Sequence, residues 1–343
     1  MSWFSFHFND FAFSFLSILL EGVPLLLLGS IISGLVDVFV SSERLTRLLP
    51  GNSVPAIFLS GLLGLVFPMC ECSSVVIIRR FIKKGLPLGP AVTYMLAAPI
   101  LSPIVALSTF AAFKGRNPAS AVHVGATGFA KWVFDHEGSI LMTSLRLGIA
   151  YIITVAIGLI VLRIPASKLL QPAMTGAAAG GTRTGLRISA APMPQQEFSA
   201  IIESASVWQK LLLAVQSATA DFLDVTFLLI IGAGVASVFN TAVDQSIILP
   251  YASNPPVAIL VMMGLAAALA ICSTTDAFIA ASFVTFPFES KLAFLLFGPL
   301  FNLKLYFLYA IILRRRVVVI LGVGLALIIA LICWRLAAVH LWG

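Results

Sequence analysis

Residues 54–82 read VPAIFLSGLLGLVFPMCECSSVVIIRRFI, an apolar run interrupted midway by Phe67-Pro68-Met69-Cys70-Glu71-Cys72-Ser73-Ser74. Pro68 removes a backbone donor and crowds the preceding turn, while the Ser73 and Ser74 hydroxyls can satisfy freed carbonyls, so the helix is expected to unwind there. As one straight helix the run would be about 44 Å long, more than the hydrocarbon core of about 30 Å. Two readings follow: one tilted helix broken in its middle, or a re-entrant hairpin turning at Cys70-Glu71-Cys72. Irregular backbone at membrane depth is tolerated only where it is buried in protein or lines a cavity. The stretch therefore asks for an all-α polytopic membrane protein whose second segment enters a protein-lined site.

The rest of the chain agrees. Of 343 residues, 60% are hydrophobic and 10% charged, and the mean hydropathy is +1.06, whereas a soluble domain carries roughly a quarter charged residues. A soluble enzyme is excluded. A transmembrane β-barrel would alternate apolar and polar residues in segments of about ten, which these solid runs do not. The net charge of +7 reports orientation, through cytoplasmic Lys and Arg, and not a nucleic-acid partner. No Lys or Arg precedes Arg44, so the Phe-rich start reads as a first span and not as a cleavable signal.

Apolar segments fall near 11–40, 54–82, 88–113, 140–164, 210–240, 256–284, 290–313 and 317–341. This divides the chain into a first membrane half (1–164), a Gly-, Ala-, Pro- and Lys/Arg-containing cytoplasmic linker (165–209) and a second membrane half (210–343). The weaker stretch 115–139, with His123, Lys131, Trp132, Asp135 and His136, suits an interfacial helix. The halves are related at a constant offset of 200: Pro50, Pro55, Pro87 and Pro99 fall on Pro250, Pro255, Pro287 and Pro299. Random placement predicts roughly half of one such coincidence. Gly34, Gly64, Cys72-Ser73 and Glu21 meet Gly234, Gly264, Cys272-Ser273 and Asp221 in the same register. Repeated halves with interrupted hydrophobic segments point to the binding site of a secondary transporter.

Charge arbitrates the topology. If every segment crosses once, Arg44 and Arg47 lie opposite Arg79, Arg80, Lys83 and Lys84. If 54–84 and 256–288 are hairpins turning at Cys70-Glu71-Cys72 and Cys272-Ser273-Thr274, all six share one side with the linker and with Arg314–Arg316. Loop 241–255, which has no Lys or Arg, then falls outside together with Lys114, Arg116 and Lys131. Each half would have three crossings, so the repeats would be inverted.

Three sets of residues can carry chemistry. Cys70, Cys72 and Cys272 could converge near the pseudo-two-fold axis and bind a soft, thiophilic substrate. Read singly, each is as readily a small buried hydrophobe, and Cys333 is read as packing. Glu71 and Asp276 are carboxylates at membrane depth, where a charge is costly enough to suggest a proton-coupling role. The alternative is pairing with Lys304 or Arg80 to hold helices together. Glu21, Asp221 and Asp224 are weaker candidates. The Pro-broken segments around Pro99 and Pro299 place Ser102 and Asn302 at equivalent positions as side-chain ligands, beside Ser73 and Ser273. Arg79, Arg80, Lys83 and Lys84 are mainly an orientation signal, with lipid headgroups as an additional partner.

At these motifs the chain resembles the bacterial predicted-permease family that includes the ArsP-type exporters of trivalent organoarsenicals. Cys70-Glu71-Cys72, Arg79-Arg80, Lys84-Gly85-Leu86-Pro87 and Ala97-Ala98-Pro99 through Pro103 and Ser108-Thr109 are similar to that family's first-half signature. Cys272-Ser273, Asp276-Ala277-Phe278 and Gly298-Pro299 are similar to its second. Ser73-Ser74, Val76, Ser102 and Asn302 depart from its pattern. The resemblance implies an inner-membrane permease whose first-half cysteines serve thiophilic substrates.

The expected function is therefore efflux of a small thiophilic solute, such as a trivalent organoarsenical, with Glu71 and Asp276 as proton carriers. Alternatives are a small-ion or anion transporter using the broken helices, and a membrane thiol oxidoreductase. The sequence calls for no cofactor, no resident metal and no nucleic acid. Its partners are a small-molecule or metalloid substrate, membrane lipid and, as one allowed assembly, further copies of itself.

Overall fold

A computed structural model describes residues 8–39, 53–66, 69–83, 85–114, 129–171, 207–242 and 254–342. The first half contains α1 (Phe8–Phe39), α2 (Ser53–Val66), α3 (Glu71–Lys83), α4 (Leu88–Ala97), α5 (Pro103–Phe113) and α6 (Phe129–Leu162). A single-turn helix, α7 (Ala166–Leu169), follows. The second half contains α8 (Val207–Ala242), α9 (Pro255–Leu269), α10 (Asp276–Ser282), α11 (Phe288–Leu300), α12 (Leu303–Tyr309) and α13 (Arg315–Trp342). Among the described residues there is no strand, only an isolated antiparallel bridge between Leu170 and Leu313.

Among the described residues five stretches are long and apolar enough to cross a bilayer: Asn9–Leu35, Gly138–Leu162, Trp208–Val238, Phe288–Tyr309 and Arg315–Ala338. Their outward faces carry large apolar side chains such as Leu20, Ile152, Leu212, Ile320 and Leu327, which only a lipid surround makes favourable over so much of the surface. Polar groups turn inward instead, with Glu71, Arg146, Asp221, Asp276 and Lys304 all buried. Between α1 and α8 small residues let the backbones approach: a Cβ on Gly34 would collide with the Ala214 carbonyl. Close approach of this kind is the usual way helices associate in lipid.

The interrupted segment of the first half turns back on itself. In the first half, α2 runs parallel to α4, since Gly89 faces Ile57 near their starts and Gly64 faces Ala98 near their ends. Helix α3 returns antiparallel to α4: the Ser74 hydroxyl lies 3.3 Å from the Met95 carbonyl, and the tight turn at Gly85, where φ is +95°, joins the opposite ends. Hence α2 and α3 are antiparallel arms, both packed on α4. Residues 67 and 68, which begin the turn, lie outside the described residues. By contrast α4 and α5 continue in one direction along α6, with Gly89 beside Gly158 and Thr109 beside Arg146. They form one crossing, broken at Ala98–Ser102.

Local chemistry explains the breaks. Ser102 caps α5, its Oγ accepting from the Ile104 N–H at 3.2 Å, with Pro103 at the first helical position. Asn302 does the same for α12, its Oδ1 accepting from the Leu305 N–H at 2.8 Å, while its Nδ2 donates to the Gly298 carbonyl at 2.9 Å. Helix α9 ends at Ala270, in the left-handed region at φ 49°.

Two expectations are modified. Residues 129–139, expected on an interfacial helix, are the first turns of α6 and continuous with its span; 115–128 lie outside the described residues. The expected linker begins as docked chain: Gln171 N–H donates to the Ile312 carbonyl at 2.9 Å and Arg314 N–H to the Leu169 carbonyl at 2.9 Å. Residues 172–206 lie outside the described residues, as do Arg44, Arg47, Lys84, Arg116, His123 and loop 243–253. The same holds for the side chains of Glu21, Lys83, Lys131, Trp132, Asp135 and His136.

Candidate transport site

The two interrupted segments meet. A recess with room for about one water is lined by Ile18 and Gly22 of α1, Cys70, Glu71 and Cys72 at the start of α3, Cys272 in the second break and Lys304 at the start of α12. Both halves contribute. Glu71 occupies the first turn of α3, where a carboxylate is favoured by the unpaired N–H groups of the helix end. Its Oε1 lies 3.2 Å from Lys304 Nζ, and its Oε2 accepts a weak hydrogen bond from the Cys272 thiol at 3.9 Å. The Lys304 ammonium thus neutralises the carboxylate from the opposite half, as a charge at this depth requires.

The sulfurs are not equivalent. Cys72 and Cys272 are buried, while Cys70 is partly exposed, and all four cysteines are free thiols. Ser73 secures Cys70: its Oγ is 2.9 Å from the sulfur and donates to the Cys70 carbonyl at 3.2 Å. Cys333 sits in α13, away from the recess. Among the described residues no three His, Cys, Asp or Glu side chains come close enough together to hold a metal ion.

Asp276 is outside the recess lining. Its Oδ2 accepts from Arg146 Nη2 at 2.6 Å, and the same nitrogen donates to the Ser273 carbonyl at 3.2 Å, while Arg146 Nη1 donates to Thr109 Oγ1 at 2.7 Å. Ser273 thus enters through its backbone. Ser102 and Asn302 cap helices, as described, and neither lines the recess.

Arg79 and Arg80, expected as orientation signals, are turned against the protein. Arg80 Nε lies 2.6 Å from Asp221 Oδ2 and Arg79 Nη1 3.3 Å from Asp224 Oδ2, and Ser33 donates to the same Asp221 oxygen at 3.0 Å. This cluster joins α1, α3 and α8. Sequence reading missed Arg146. The available signal was an arginine deep within the apolar run 140–164, which demands a partner.

Fold and site together define a polytopic helical membrane protein with a polar recess enclosed by interrupted helices. The chain belongs to the predicted-permease family ArsP_1, whose model matches residues 7–134 and 132–336. It is 34% identical over 308 residues to the UPF0718 protein YcgR of Bacillus subtilis, covering 90% of each chain. It is 32% identical over 291 residues to a protein of Streptococcus mutans named as a putative two-component membrane permease complex subunit, covering 84% of this chain and 82% of that one. No solved structure matches it.

Proposed function

We propose that this permease carries a small thiophilic solute across the bacterial cytoplasmic membrane, the inner membrane where there are two, by moving its halves around the recess. The carrying observation is the convergence of Cys70, Cys72, Cys272, Glu71 and Lys304 from both halves on one buried recess. Soft sulfur ligands favour a soft acceptor, for which a trivalent organoarsenical is the leading candidate and export the favoured direction. Loading proceeds by exchange among the thiols, with Glu71 and Asp276 as the proton-coupling carboxylates. A thiol oxidoreductase is less well supported, because it needs a cysteine pair near an aqueous face and a relay, whereas Cys72 and Cys272 are buried.

The halves 1–164 and 210–343, joined by 165–209, are read as inverted copies. The bonds tying 169–171 to 312–314 support this. If every segment crossed once, those two loops would lie on opposite faces; with one hairpin and three crossings per half they share a face. The name of the Streptococcus relative adds a second subunit to the proposal, with self-association as the alternative assembly.

The test is flux of phenylarsine oxide into everted vesicles, with the chain carrying Cys70→Ser, Cys72→Ser and Cys272→Ser together. Loss of flux with normal membrane insertion supports thiol ligation. Retained flux would sink it.

A further inference from the structure

The second buried ion pair lies beside the recess without lining it. Arg146 is fully buried on α6 of the first half, yet two of its three side-chain hydrogen bonds reach the other half. It holds Oδ2 of Asp276 and the carbonyl of Ser273, the residue next to Cys272. Its other arm is fixed by Thr109, whose hydroxyl in turn donates to the Val105 carbonyl at 2.7 Å. Neither Arg146 Nε nor Asp276 Oδ1 has a partner, although both atoms are buried. A buried guanidinium left short of a partner is costly. The arrangement is therefore poor as pure stabilisation, since apolar residues of similar volume commonly do as well.

What the arrangement does achieve is geometric. The break between α9 and α10 is irregular: Thr275 and Asp276 N–H bond back to the Cys272 carbonyl at 3.1 and 3.0 Å, and Ala270 sits at a left-handed φ. Arg146 adds a cross-half tie to the weak Cys272–Glu71 contact, gripping the segment one residue and four residues after Cys272. Arginine's planar fork suits this, because it fixes direction as well as distance.

We infer that Arg146 is a positioning residue for the thiol recess. It holds the 270–275 break, and with it the Cys272 sulfur, against the first half, and the Asp276 charge is what keeps it there. This rests on the reading of the recess as the transport site. Removing the Asp276 charge, by a proton or by substitution, would weaken the grip on Ser273 and free Cys272 to leave the recess. The two acids then have different tasks: Glu71 faces the solute, and Asp276 governs whether the third thiol is in place.

The experiment measures the rate at which N-ethylmaleimide modifies each cysteine of the purified full-length chain, resolved by peptide mass spectrometry. Arg146→Gln and Asp276→Asn are expected to speed modification of Cys272 by about tenfold, as for a local opening, while Cys70 stays within about twofold of native. Arg146→Lys and Thr109→Val, which keep the charge pair, should give smaller increases, and remain informative if Arg146→Gln does not fold. The double variant Arg146→Gln/Asp276→Asn is expected to recover part of the thermal stability lost in either single variant, because removing both partners costs less than orphaning one. Its Cys272 should nevertheless remain fast. An unchanged Cys272 rate in all the folded variants, or a slow rate restored along with stability in the double variant, would overturn the inference. Protection by phenylarsine oxide is read separately in the native chain. If it fails to slow Cys272 and Cys72, the transport-site reading falls while the positioning result stands on its own.

Discussion

Ala270 is the non-glycine residue with positive φ among those described, at 49°, and it ends α9 two residues before Cys272. A left-handed conformation costs an alanine about 1 kcal/mol or more, a penalty glycine lacks. Ala270→Gly is expected to be neutral to about 1 kcal/mol stabilising, the gain being offset in part by the freer unfolded chain. Ala270→Val adds a branched side chain to a strained and buried position and should lower the thermal midpoint clearly. A midpoint raised by Val would mean that the break adopts another conformation. At Lys304 the expectation is larger. Lys304→Met leaves Glu71 buried without its counter-charge, at a cost of about 3–5 kcal/mol, and adding Glu71→Gln should return much of it. Thermal unfolding in detergent of the two single variants and the double one decides this. Cys72 and Glu71 were legible in the sequence, with Lys304 as one of two alternative partners for a buried carboxylate, because polar groups in an apolar run must find one another. Arg146 was not, because its partner Asp276 is 130 residues away and an arginine does not say which carboxylate it will meet. Ala270 was not legible either, since nothing local marks an alanine for a left-handed turn.

At the scale of elements, α3 is the piece whose two ends do different things. Its first turn carries Glu71 and Cys72 into the recess, and Arg79 and Arg80 sit two turns further on, paired with Asp224 and Asp221 of α8. Its flank is pressed on α1 so closely that a Cβ on Gly29 would overlap Ser73. Gly29→Ala must therefore push α3 away from α1, and the expected result is reduced flux and a lower midpoint, since small residues set helix spacing in lipid. Gly148, which has open space beside it, is the matched control, and Gly148→Ala should leave both unchanged. The charge cluster makes a second demand. Asp221→Asn removes the counter-charge facing Arg80 and should destabilise by about 3 kcal/mol, with Arg80→Gln/Asp221→Asn recovering part of the loss. The double variant should also expose Cys72 to hydrophilic thiol reagents applied from the linker side, because the cluster spans the two halves between the recess and that face. Equal labelling of Cys72 in native and double-variant chains would show that the cluster is packing alone. The arginines were read from the sequence as a topology signal, which their charge alone could support; their pairing depended on where α8 lies, and no local pattern states that.

Across the whole molecule, the order of helix lengths recurs: a long helix, four shorter ones and a second long helix occur in both halves. Prolines and glycines spaced at a constant offset made this order legible, because each breaks or caps a helix wherever it stands. The handedness of the relation was not legible in those residues, since it depends on whether one interrupted segment returns or crosses. Packing of α2 and α3 on α4 makes the first one return. Carried to the second half, that geometry puts the turn after α3 and the turn after α10 on opposite faces of the membrane, whereas parallel halves would put them on the same face. Pro87 and Val284 are exposed at those two turns. In a chain otherwise free of cysteine, Pro87→Cys should react with an impermeant maleimide only from the face bearing Arg163 and Arg314, and Val284→Cys only from the other. Labelling of both from one face would require α9 and α10 to cross as a single broken helix. It would also separate 169–171 from 312–314, whose backbone bonds hold only if the linker and the start of α13 emerge together.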